Sequence, residues 1–114
     1  MTQSNWHTLR EGARTTVARH LPVRFDVSAS AEFPDGNAAR LAHMIRQDMW
    51  RALQNLRGFS PVVQVEKSEG TMKVTAGGRV LGLVTSGLEG RIGALLNDAG
   101  LRRRWIACAA KGQS

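Results

Sequence analysis

The sequence predicts one small α+β domain whose mostly antiparallel sheet carries helices on one face and polar side chains on the other, in the order α-β-α-β-β-β-α-α. Three observations carry this expectation. A long amphipathic helical pattern runs through PDGNAARLAHMIRQDMWRALQNLRG, from Pro34 to Gly58. Residues 24–33 and 62–84 switch to a period of two, with turn residues between them, and residues 88–108 return to helical spacing. At 114 residues with 42% hydrophobic content, the chain supports one ordinary core rather than two.

The elements follow in chain order. Ser4 or Asn5 opens a first helix in which Trp6, Leu9, Ala13, Val17 and Leu21 recur at helical spacing, and Pro22 stops it. Gly12 weakens its middle by roughly 1 kcal/mol relative to alanine. Arg24 to Phe33 alternates Phe25, Val27, Ala29, Ala31 and Phe33 against polar residues, the pattern of a half-buried strand. In the long helix, a step of about 100° per residue gathers Leu41, Ala42, Ile45, Met49, Ala52, Leu53 and Leu56 into one stripe. Asp35 or Asn37 serves its N-cap, and Gly58 suits a left-handed residue after it.

A two-residue turn at Glu69 and Gly70 places Ser68 across from Thr71, Glu66 from Lys73, Val65 from Val74 and Val63 from Ala76. A second turn at Gly77 and Gly78 leads to a further strand, Arg79 to Val84. Ser86 and Glu89 have capping-box spacing before a helix striped by Leu88, Ile92, Leu95, Leu96 and Ala99. Asn97 or Asp98 caps a last helix in which Leu101, Trp105 and Cys108 share a face, and residues 111–114 form a loose tail.

Charge points to the class of partner. The chain carries a net charge of +7 with a pI near 11.3. The excess is concentrated in the helical segments: residues 36–60 and 85–114 carry +3 each, whereas residues 23–35 carry −2. Such a balance favours polyanions, nucleic acid first and an anionic membrane or an acidic protein surface next. Thirteen of the sixteen basic residues are arginine, so coding bias competes with selection for binding. No apolar run reaches the roughly 18 to 20 residues that span a bilayer, and the N-terminus lacks the apolar centre of a secretory signal. With Cys108 alone, no intramolecular disulfide is available, and a cytoplasmic setting is expected with the thiol buried.

Catalytic and cofactor patterns are weak. His7, His20 and His43 lack metal-ligand spacing, and His20 reads as a packed, hydrogen-bonded side chain. GLVTSGLE, residues 82–89, has phosphate-loop glycines but puts Leu88 and Glu89 where lysine and a hydroxyl belong. No enzyme, metal or cofactor is therefore expected. The leading expectation is a non-enzymatic nucleic-acid-binding protein that contacts backbone phosphates through His43, Arg46, Arg57, Arg102, Arg103 and Arg104, with Trp50 as a stacking group. Arg102 to Arg104 fan around their helix, so at most two address one surface. Trp50 has two placements, exposed among arginines or packed beneath a flanking helix. The alternative function is an assembly or regulatory subunit using the Trp50 face and a sheet edge, with homo-oligomers as one form of it.

Overall fold

The computed structural model describes residues 6–53, 56, 58–81 and 87–111. The predicted caps Ser4 and Asn5, the tail 112–114, Ser86 and residues 82–84 of the predicted last strand lie outside them. Five strands form one antiparallel sheet: β1 (His7–Glu11), β2 (Arg14–Ala18), β3 (Val27–Pro34), β4 (Phe59–Ser68) and β5 (Thr71–Val80), in the order β1-β2-β4-β5-β3. Three helices accompany it: α1 (Ala38–Leu53), α2 (Leu88–Leu96) and α3 (Ala99–Lys111). The α+β class and the antiparallel sheet are as expected; two elements differ.

Residues 7–18 form a β-hairpin where the sequence pattern predicts a helix. The spacing of Trp6, Leu9, Ala13 and Val17 mimics a helical stripe, but Thr8, Thr15, Thr16 and Val17 favour strand and Gly12 sits at the turn with φ +59°. In the hairpin Val17 is buried while Leu9, across from Thr16, is 39% exposed on the other face. The second difference is at Gly77 and Gly78, which continue β5 instead of turning it. Both sides of β5 are already occupied, by β4 and β3, so a further meander strand has no edge to join. Glycine is needed there because a Cβ at Gly77 would overlap the Val27 carbonyl and one at Gly78 the Ser60 carbonyl.

The β4–β5 hairpin has the predicted register, from Ser68 across from Thr71 through Val63 across from Ala76. Glu69 and Gly70 both take positive φ, 46° and 84°, as a two-residue turn matched to strand twist requires. Because β3 and β4 each run antiparallel to β5, they are parallel to one another, and α1 is the crossover between them. The N-cap of α1 is Asn37, whose side-chain oxygen accepts the Arg40 N–H at 2.9 Å. Gly58 is left-handed, φ +73°, but lies beyond the last helical residue, Leu53.

Alternation along the strands divides the sheet. Val17, Val27, Phe33, Val63, Val65, Met72, Val74 and Ala76 turn to the helices and join Leu41, Ile45, Met49, Leu88, Ile92, Leu96 and Trp105 in one core. On the other face, register aligns Glu11, Arg14, Glu66, Lys73 and Glu32 as a row of alternating charge across all five strands. The segment 19–26 carries the chain from β2 to β3 at one end of this face. It is held by Arg79 Nη2 donating to the Pro22 carbonyl at 3.1 Å and by Asp26 N–H donating to Gly78 at 2.8 Å. No helix of the described residues is long and apolar enough to cross a membrane.

Candidate nucleic-acid interface

The strongest polar constellation lies between α1 and α3. Asp48 falls at the margin of the α1 stripe, which buries it to 8% exposure against α3. A carboxylate there must be neutralised and hydrogen-bonded; two donors, Trp105 and Arg104, bond it, and Arg104 and Arg51 supply the opposite charge. Trp105 Nε1–H donates to Asp48 Oδ2 at 2.6 Å, Arg104 Nη2 pairs with the same oxygen, and Arg51 Nη1 stands 3.6 Å from Oδ1. The two guanidiniums reach in from solvent, with 63% of the Arg51 side chain and 49% of Arg104 exposed. One negative charge thus fixes two cations side by side on the outer surface. Arg40 of α1 and Arg103 of α3 are exposed on the same helical layer.

The other predicted residues are dispersed. Arg102 turns to the β3 edge, where Nη2 donates to the Glu32 carbonyl at 2.7 Å, Nη1 to Leu96 at 3.2 Å, and the guanidinium lies 4.1 Å from the Phe33 ring centroid. It is a packing residue, so of the three consecutive arginines only Arg103 and Arg104 are exposed. Arg46 covers the Trp6 ring at 4.4 Å, and its buried Nε has no hydrogen-bond partner. Burial pushes this guanidinium below its ordinary pKa. Arg57 lies outside the described residues.

Trp50 takes the exposed placement, at 39%. It follows Asp48 by two positions, so at about 100° per residue it projects from the other flank of α1, away from the arginine pair. That flank faces β1, as the bond between His43 Nε2 and Thr8 Oγ1 at 3.2 Å shows.

Burial, with the Arg46 cation beside it, holds the His43 pKa below its ordinary 6.5, so folding favours the neutral ring. The sign follows: this contribution to stability is complete above pH 6.5 and is lost as pH falls through the depressed folded value. We expect a melting temperature that drops between roughly pH 7 and pH 5, with a smaller drop in His43→Gln, measured by thermal melts across that range.

Two further groupings escape sequence reasoning. His20 is exposed rather than packed, and its Nδ1 bonds to Ser60 Oγ at 2.6 Å beside a hollow of about 210 Å³ that includes Arg79 and Leu81. No carboxylate among the described residues bonds to His20, so the pair acts as a clasp between segment 19–26 and β4. Glu89, expected in a capping box, instead accepts the Ser28 N–H at 2.8 Å, and the α2 N-cap is Gly87. Cys108 is half-buried. No three His, Cys, Asp or Glu side chains among the described residues are grouped to hold a metal ion. No protein-family model matches the chain, and no curated protein or solved structure matches it.

Proposed function

We propose that this protein is a non-enzymatic nucleic-acid-binding module that contacts backbone phosphates through the outer surface of α1 and α3. The observation that carries the reading is the convergence of Arg51 and Arg104 on Asp48 with 63% and 49% of their side chains in solvent. Asp48 gathers the two guanidiniums at one place, and their solvent-exposed sides present planar N–H groups suited to phosphate oxygens. Arg40 and Arg103 extend the cationic surface, while the row of alternating charge on the far side of the sheet offers a polyanion no comparable face. Trp50, on the other flank, is left out of this surface.

Binding of a labelled duplex oligonucleotide, followed by fluorescence anisotropy at several salt concentrations, tests the reading. Affinity should fall on a log–log plot with a slope of about −0.9 per phosphate contacted. Arg51→Gln, Arg103→Gln and Arg104→Gln should each reduce that slope by roughly one contact, with Lys73→Gln on the opposite face unchanged. A flat salt response, or equal losses in Lys73→Gln, removes the proposal.

A further inference from the structure

The two edges of the sheet end differently. On β3 the outward backbone is occupied: Glu89 of α2 takes the Ser28 N–H at 2.8 Å, and Arg102 of α3 takes the Glu32 carbonyl at 2.7 Å. The opposite edge is β1, whose five residues are all exposed and beyond which no strand lies among the described residues. The two-residue turn makes Glu11 and Arg14 a hydrogen-bonded pair, so His7, Leu9 and Glu11 spend their backbone groups on β2. Thr8 and Arg10 therefore turn theirs outward. An apolar side chain borders this edge on the polar face, Leu9, 39% exposed, and the α1 flank carrying His43 meets the edge on the helical face through Thr8.

We propose that the β1 edge is the interface for a second copy of this chain, joined antiparallel across a two-fold axis into one continuous sheet. Self-pairing of HTLRE chooses its own register. Thr8 sets its outward groups against Arg10 of the second copy, Leu9 meets Leu9, and His7 lies across from Glu11. Glu11 ends the row of alternating charge formed with Arg14, Glu66, Lys73 and Glu32, and His7 of the second copy continues that row with a hydrogen-bond donor. Sliding the pairing by one step either way leaves one end of the strand unpaired, and one of the two slides sets Arg10 against Arg10. In the favoured register Leu9 faces Leu9 as a non-hydrogen-bonded pair, where side chains approach most closely. The α1 flanks bearing His43 come together above the junction. The surface is separate from the Arg51–Arg104 pair, so the proposal holds or fails independently of phosphate binding.

Sedimentation equilibrium of the full chain should give a species of twice 12.4 kDa that dissociates on dilution. Thr8→Pro, which removes an outward N–H that an edge strand does not use, and Leu9→Lys, which sets lysine against lysine, should yield monomers with unchanged circular dichroism. In a Cys108→Ser background, Leu9→Cys should form a disulfide-linked dimer on mild oxidation, since facing Cα atoms in such pairs stand about 4.5 Å apart, while Gln64→Cys on the same face should not. A monomer at every concentration overturns the proposal. So does a dimer that ignores both edge substitutions and leaves Leu9→Cys uncrosslinked.

Discussion

Replacing Gly78 by alanine is expected to destabilise the fold by about 3 kcal/mol or more, the largest single-residue effect outside the core. Two costs combine at this position. Its φ of 147° lies where a side chain is strained, and a Cβ would overlap the Ser60 carbonyl of β4, the strand that β5 pairs with along its length. Relief requires β4 and β5 to separate at the centre of the sheet. Gly12 provides the contrast: its φ is also positive, 59°, but nothing lies within 4 Å of an added Cβ. Gly12→Ala should therefore cost only about 1 kcal/mol. Urea unfolding of the two variants checks the difference, and equal losses would show that the close approach of β4 has no energetic weight.

Removing the Asp48 carboxylate is expected to have the second largest effect, and to act in opposite directions on stability and on binding. Asp48→Ala leaves the Trp105 N–H buried without an acceptor, in a side chain that is 0% exposed. Breaking this junction should cost about 2 to 4 kcal/mol, below the value for a fully buried ion pair because Arg51 and Arg104 can return to water. Asp48→Asn keeps an oxygen for Trp105 and should cost about half as much. Both variants free two arginines from their shared counter-charge, so the phosphate reading predicts tighter duplex binding and a steeper salt slope as the protein becomes less stable. Chemical unfolding and anisotropy titrations on the same samples measure both. Weaker binding by folded Asp48→Asn would mean that the fixed geometry of the pair matters more than the added charge.

Local patterning made several elements legible. Of the predicted stripe, Leu41, Ala42, Ile45, Met49 and Leu53 are buried, whereas Ala52 is exposed near the end of α1 and Leu56 lies beyond it, half-buried; Glu69 with Gly70 set the β4–β5 register. Asp98 caps α3 through the Leu101 N–H, within the pair of residues the sequence offered. The hairpin at residues 7–18 is hidden in the local pattern because five apolar positions fit a helical wheel by chance, while the run of β-branched residues in β2 carries the opposing signal. Of the candidate site, Arg103 and Arg104 are exposed on α3, but Arg46 and Arg102 are committed to Trp6 and to the β3 edge. The sequence did hold one unused signal for the site. Asp48 stands three residues after Ile45, close enough to the apolar stripe to require a partner.

Periodicity, turn chemistry and charge are properties of neighbouring residues, and they determined by themselves that this chain builds an antiparallel sheet with basic helices laid on one side. Which strand pairs with which, which cations stay free and which sheet edge stays open depend on residues far apart in the chain. Ser28 with Glu89, Glu32 with Arg102 and Asp48 with Arg104 are such pairs. Only tertiary structure decided them, because a side chain's charge is set by its own chemistry, whereas its availability is set by whatever the fold brings within hydrogen-bond reach.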